Sequence, residues 1–189
     1  LWQIADMERD GRSLDLDAAA QAMRPYAQAG LTTFDMADHY GSAEEIAGIF
    51  TTRYAGETGA QVFTKWVPKP GPSSRESVRE AVERACTRLQ TQCIDLLQYH
   101  AWNYADASYL DDLFYLQELR DEGLIRHLGV TNFDTAHVHV VLAAGIDIVS
   151  NQICFSLLDQ RARGPMAELC EARGVKILAF GTLAGGFLT

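Results

Sequence analysis

The sequence predicts an α/β fold, a parallel (β/α)8 TIM barrel that is truncated before its last strand and helix. Apolar runs of strand length alternate with helix-like stretches, and the runs start near residues 31, 61, 94, 125, 147 and 175, one β/α unit apart. Most runs are apolar at consecutive positions, as expected of strands that are covered on both faces. Polar residues follow several of the runs, and the strand ends of a barrel converge on one mouth.

The strands are predicted at Leu31–Asp38, Gln61–Trp66, Ile94–His100, Ile125–Asn132, Asp147–Ile153 and Val175–Phe180. We interpret Leu1–Ala5 as the remnant of an earlier strand. A closed barrel of this type takes about 250 residues, and the 189 residues stop in a segment that resembles a loop. We therefore expect residues 1–189 to form one barrel domain that is incomplete at its C-terminus.

The helices between the strands have recognisable starts and stops. The predicted start signals are two capping-box pairs, an aspartate cap and a proline at a first helical position: Ser42 with Glu45, Ser73 with Glu76, Asp134 and Pro165. The predicted stop signals are glycines that precede a strand: Gly30, Gly123, Gly145 and Gly174. Pro25 lies inside the first long helix and should bend it.

Composition narrows the class of partner. A chain that is 48% hydrophobic can bury one sizeable core, and its net charge of -9 argues against nucleic acid or an anionic membrane as the main partner. No apolar run is long enough to cross a bilayer, and the chain opens without a signal-peptide pattern. The four cysteines lack CxxC spacing and are read as reduced thiols of a cytoplasmic protein. The expected partner is a small molecule.

Four residues that can take part in proton chemistry follow three successive strands: Asp35 and Tyr40, then Lys65, then His100. A lysine beside a tyrosine hydroxyl favours the phenolate, so we expect Lys65 to lower the pKa of Tyr40 from its usual value of about 10. Asp35 can keep the ammonium charged despite partial burial. His100 can hydrogen-bond a substrate oxygen and orient it, which leaves Tyr40 as the general acid.

A phenol that donates a proton, with no obvious nucleophile beside it, suits carbonyl reduction. Because no side chain supplies hydride, a nicotinamide cofactor is required. Thr131, Asn132 and Gln152 are candidates for holding its carboxamide, and Phe180 for stacking on its ring. Gly181 and Leu183 follow Phe180 and are further candidate cofactor contacts.

Three tryptophans, Trp2, Trp66 and Trp102, are candidate walls of an apolar substrate pocket, with ordinary packing as the alternative. Two other functional classes stay open at this point. One is a regulatory subunit that binds nucleotide on the same scaffold with little turnover. The other is a metal-assisted hydrolase that uses Asp35, Asp38, His39 and His100, although these residues lack a recognisable ligand spacing.

Five segments resemble the aldo-keto reductase family: Phe34–Gly41 with its Asp and Tyr, Phe63–Trp66 with its Lys, Leu96–His100, Gly129–Phe133 and Asn151–Gln152. The resemblance covers nearly the whole chain. It implies an NADPH-dependent reductase of aldehydes and ketones, in which Lys65, Asp35 and His100 tune Tyr40. Thr131 stands in place of the commoner serine, and Phe180 in place of a stacking tyrosine. The family's site for the 2′-phosphate lies beyond the matched segments, so NADP(H) rather than NAD(H) is implied by the resemblance alone.

Overall fold

The computed structural model describes residues 3–102, 104–105 and 107–189, and in these residues strands and helices alternate. The strands are β1 (Thr33–Asp35), β2 (Gln61–Trp66), β3 (Ile94–Tyr99), β4 (Ile125–Thr131), β5 (Ile148–Cys154) and β6 (Lys176–Phe180). The helices are α1 (Gln3–Arg9), α2 (Leu16–Gln28), α3 (Ala43–Thr58), α4 (Arg75–Leu89), α5 (Tyr109–Asp121), α6 (Thr135–Ala143) and α7 (Pro165–Arg173), followed by a 3-10 turn at Ala184–Gly186.

All neighbouring strands pair in parallel, in the order β1-β2-β3-β4-β5-β6. They form a curled half-barrel with helices between the strands, which matches a truncated (β/α)8 barrel and confirms the predicted fold class. The parallel order places the carboxyl ends of all six strands along one rim. Within the described residues, no helix is both long and apolar enough to span a membrane.

The first strand is shorter than predicted. β1 ends at Asp35, and the chain then leaves the strand conformation while it continues to bond to β2. Met36 N donates to Phe63 O at 2.8 Å, and Asp38 N donates to Lys65 O at 3.0 Å. The segment that leads to Tyr40 therefore stays attached to the second strand.

The predicted strand remnant at Leu1–Ala5 is wrong for its described part, because residues 3–5 begin helix α1. A strand at this point needs a partner edge, whereas a helix satisfies its own backbone groups. The helix buries Ala5 and packs Ile4 against the core. Leu1 and Trp2 lie outside the described residues, so the structure says nothing of Trp2 as a pocket wall.

Both predicted capping boxes are wrong, whereas the predicted Asp134 cap, the start at Pro165 and the four glycine stops are confirmed. The Glu8 carboxylate on α1 accepts hydrogen bonds from Ser42 Oγ at 2.5 Å and from Ser42 N at 3.2 Å. Glu8 of the neighbouring helix thus takes the part that was predicted for Glu45. The capping box of α4 lies one residue later than predicted, between Ser74 and Ser77. Asp134 caps α6, Pro165 opens α7, Pro25 lies within α2, and Gly30, Gly123, Gly145 and Gly174 have positive φ.

The two faces of each strand differ, because only one of them contacts the apolar core between the sheet and the helices. Leu97 and Tyr99 of β3 belong to the main apolar cluster, together with Leu113 and Leu116 of α5. Gln98, which lies between them on the strand, contacts Asp35. Because side chains alternate along a strand, the apolar face anchors the helices and the other face carries polar groups into the barrel.

Candidate active site

A buried lysine lies at the centre of the polar rim. The Lys65 side chain on β2 is only 2% exposed, and its ammonium pairs with Asp35 Oδ2 and donates to Met36 O at 2.8 Å. Burial lowers the pKa of Lys65, while Asp35 and then Asp38 act in the opposite direction. A lysine at this depth is stable as a cation only because a carboxylate and a carbonyl replace its lost hydration.

Asp35 is held from both of its oxygens, although its side chain is 36% exposed. Oδ2 pairs with Lys65, and Oδ1 accepts from Gln98 Nε2 at 2.9 Å and from Gln152 Nε2 at 3.2 Å. Three strands thus converge on one carboxylate. The sequence reasoning missed Gln98, although a glutamine inside the apolar run of β3 was a visible signal.

Tyr40 lies in the loop between β1 and α3, with the Lys65 ammonium 5.3 Å from its ring centroid. Burial raises the pKa of Tyr40, and the negative charges of Asp35 and Asp38 add to this effect. The expected lowering of the Tyr40 pKa by Lys65 is therefore not found. The two groups are neighbours as predicted, but desolvation and the carboxylates outweigh the ammonium, and they keep the phenol protonated at neutral pH.

His100 belongs to an aromatic cluster at the same rim. Its ring stacks on Trp102 at 5.1 Å, and the His39 ring lies 4.8 Å from that of Tyr40 and 6.5 Å from that of His100. Burial, then the charges of His39 and Lys65, lower the pKa of His100. Its Nδ1 is buried and has no hydrogen-bond partner among the described residues. His100 is therefore a neutral imidazole at pH 7.

A second polar network lies beneath the Tyr40 loop. The buried Glu44 accepts from Thr64 Oγ1 at 2.6 Å and from Arg88 Nη1 at 3.2 Å, and Arg88 also donates to Asp38 O at 3.2 Å. Burial raises the pKa of Glu44 against these partners. Because the network joins α3, β2 and α4 to the loop, it restricts the position of Tyr40. The sequence reasoning did not single out these residues.

The residues predicted to hold a carboxamide lie together at the ends of β4 and β5. Thr131 is in register with Gln152, and Asn132 N donates to Gln152 O at 2.8 Å. Asn132 is exposed and has a φ of 61°, a backbone conformation that asparagine tolerates. Thr131 Oγ1 is buried with no hydrogen-bond partner among the described residues, and a bound amide group would satisfy it. These residues fit a nicotinamide, although Gln152 already directs its Nε2 at Asp35.

Phe180 ends β6 with 40% of its surface exposed. It shares with Asn132 a cleft of about 610 Å³ that is also lined by Ile153, Met166 and Arg161. Gly181 and Leu183 follow Phe180 in the chain and are exposed. An exposed ring beside Asn132 is suited to stacking.

The structure separates the two described tryptophans. Trp102 is 74% exposed and joins the cluster of His100 and His39. Trp66 packs on Tyr99 at 5.7 Å and lines a different cleft, with Asp38 and residues at the start of α4. Trp66 follows Lys65 on β2, so its side chain points to the opposite face of the strand.

The ligand set of a hydrolase is not assembled. His39 Nδ1 lies 3.0 Å from Asp38 Oδ1, and Asp35 is engaged by Lys65. In the part of the chain that the structure describes, no group of three or more His, Cys, Asp or Glu side chains could hold a metal ion.

Comparisons with known proteins agree on one family. The model of the Aldo/keto reductase family matches residues 1–189. The chloroplastic pyridoxal reductase of Arabidopsis thaliana is 27% identical over 191 residues, which are 92% of this chain and 52% of that protein. The NADH-specific methylglyoxal reductase of Escherichia coli is 32% identical over 120 residues, which are 61% of this chain and 36% of that protein.

Solved structures give the same result. The thermostable aldo-keto reductase Tm1743, crystallised with the inhibitor epalrestat, superposes with a TM-score of 0.82 and 25% identity. The match covers 94% of this chain and 65% of that chain. The chain spans about half the length of the curated relatives it matches.

Proposed function

The chain belongs to the aldo/keto reductase family, and from this premise we propose that the protein carrying it reduces aldehydes or ketones with NADPH, with Tyr40 as the general acid. One observation carries the proposal. A buried lysine, held charged by Asp35, lies 5.3 Å from the ring centroid of a half-buried tyrosine. This arrangement places a positive charge beside the phenol of Tyr40, where it would stabilise a developing phenolate.

Each of the four residues has a chemical role in this proposal. Tyr40 donates its hydroxyl proton to the carbonyl oxygen, and its raised pKa keeps that proton in place at neutral pH. Lys65 then stabilises the phenolate that remains, and Asp35 keeps Lys65 charged and fixed. His100 is neutral and donates a hydrogen bond to the carbonyl oxygen, which orients the substrate.

The cofactor supplies the hydride when it is bound. Thr131, Asn132 and Gln152 would hold its carboxamide, and Phe180, Gly181 and Leu183 would contact its ring and the adjoining atoms. We propose Trp102 as a wall of the substrate site because it stacks on His100. Trp66, which faces another cleft, is the weaker candidate for such a wall.

The preference for NADP(H) rests on family resemblance. One similar protein is named an NADH-specific methylglyoxal reductase, so a preference for NADPH over NADH is not shared by all similar proteins. Activity should therefore be measured with both cofactors. We also propose one barrel domain over residues 1–189, a small carbonyl compound as the partner, and a cytoplasmic location.

The test compares Tyr40→Phe with wild type in the full-length protein, with Tyr26→Phe as the matched control because Tyr26 is exposed on α2. Nicotinamide absorbance is followed with a panel of aldehydes and ketones. Tyr40→Phe should lower kcat by about 100-fold or more, in the range of general-acid catalysis. Equal rates in all three proteins would reject Tyr40 as the acid. Tight NADPH binding without turnover in wild type would favour the regulatory subunit.

A further inference from the structure

Gln98 of β3 is a fully buried polar partner of Asp35 in the proposed site. Its side chain has no exposed surface, and its Nε2 donates to Asp35 Oδ1 at 2.9 Å. It lies in register with Lys65 on one side and Gly129 on the other. Through Gly129, Gln98 is level with Ser150, two residues before Gln152 on β5, so its backbone lies further from the carboxyl end of the sheet than that of Gln152.

The other end of the same amide is left unpaired. Gln98 Oε1 is buried and has no hydrogen-bond partner among the described residues. An unsatisfied buried carbonyl is costly, and an apolar side chain of the same size would avoid that cost. Stability alone therefore does not explain a glutamine at this position. The contact that the amide does make is to a charged carboxylate, where a hydrogen bond is strongest.

The neighbouring strand leaves room for this side chain. A Cβ atom at Gly129 would lie 2.3 Å from Ser150 Oγ and 3.4 Å from Gln98 Cγ. Gly129 is in register with both residues, so its missing side chain accommodates the row formed by Gln98 and Ser150. Ser150 Oγ is likewise buried and has no hydrogen-bond partner in the described part of the chain, Asp35 included, so Ser150 serves as the control.

We propose that Gln98 is a positioning residue of the reductase site, which fixes the Asp35 carboxylate so that Asp35 holds the Lys65 ammonium against Tyr40. The kinetic test of this inference rests on the proposed function. Gln152 shares the same oxygen of Asp35 from the opposite strand, but it lies at the rim where a cofactor would bind. Gln98 thus anchors Asp35 with a side chain that has no exposed surface.

The experiment uses Gln98→Met and Gln98→Leu in the full-length protein, with Ser150→Ala as the control. Both substitutions at residue 98 remove the donor and also the unpaired carbonyl, so the unfolding temperature should stay equal or rise. We expect kcat to fall about tenfold, because a small displacement of a catalytic group suffices for such a loss of rate. KM for the carbonyl and KM for NADPH should change less than twofold. Ser150→Ala should match wild type.

A second readout needs neither cofactor nor turnover. The phenol of Tyr40 is titrated by its ultraviolet absorbance, and the signal is assigned by subtracting the curve of Tyr40→Phe. In Gln98→Met the phenol should ionise at higher pH. Asp35 has then lost one hydrogen-bond donor, so its negative charge is less compensated and disfavours the phenolate more strongly. An unchanged kcat or an unchanged titration in both variants overturns the proposal. If wild type reduces no carbonyl, the proposed function fails while the titration still tests Gln98.

Discussion

Replacing Lys65 with methionine removes one positive charge from the rim and keeps most of the side-chain volume. The ammonium lies 5.3 Å from the Tyr40 ring centroid. At an effective dielectric constant of about 20, a pair of unit charges at this separation interacts by roughly 3 kcal/mol. If this energy stabilises the developing phenolate, Lys65→Met lowers kcat by about two orders of magnitude.

The assay is NADPH oxidation by the full-length protein with a saturating aldehyde, followed at several pH values. Lys176→Met is the matched control, because Lys176 is exposed on β6. Circular dichroism melting checks the fold, which we expect to persist since water can reach the partly exposed Asp35 carboxylate. A kcat within twofold of wild type would refute the reasoning, because it would show that the Lys65 charge does not stabilise the developing phenolate oxygen of Tyr40.

Three further predictions concern pH and stability. The reduction rate should stay level through neutral pH and fall only above the usual tyrosine pKa near 10, because burial and two carboxylates raise the pKa of Tyr40; a pH profile in which the decline begins below that value would contradict this. Gly48→Ala should destabilise the protein by about 1 to 3 kcal/mol, because the new Cβ would lie 2.4 Å from a backbone oxygen of α4. Gly56→Ala in the same helix meets nothing within 4 Å, so it should stabilise the protein by up to about 1 kcal/mol. Urea unfolding distinguishes the two signs. Asp134→Ala should cost about 1 kcal/mol at pH 7, because the carboxylate caps α6 through the backbone N–H of His137 at 2.8 Å. Hydrogen bonds from α6 hold the pKa of Asp134 below its usual value, so the effect should be full above pH 4 and shrink as the pH falls through the folded pKa; a difference from wild type that is constant from pH 7 to pH 2 would contradict it.

Much of the fold is readable from the sequence because the signals are local. The runs Gln61–Trp66 and Ile94–His100 became β2 and β3 with at most one residue of difference, since buried parallel strands need consecutive apolar residues. Asp134 and Pro165 act within one helical turn of where they stand, and both are confirmed. The prediction of a strand at Leu1–Ala5 failed because its signal was also purely local. A short, mostly apolar segment of five residues fits a strand or a helix equally well until its neighbours are known.

The site was predictable as a set of residues, but its bonding pattern was not. Asp35 and Lys65 were expected to pair, and the structure pairs them. Gln152 was expected to serve a carboxamide, yet it donates to Asp35, a residue 117 positions away in sequence. Such a contact depends on how the sheet curls, and no local pattern records that curvature.

The sequence by itself determined the order of strands and helices, the parallel sheet and the residues that stand at the strand ends, because hydrophobic periodicity and caps act over a few residues. Only the tertiary structure decided which face of β2 carries Lys65 into the barrel and which buries Trp66 elsewhere. It also decided the direction of the Tyr40 pKa, because burial and the combined field of Lys65, Asp35 and Asp38 are set by distances across strands. Electrostatic energy depends on separation in space, and separation along the chain does not supply it.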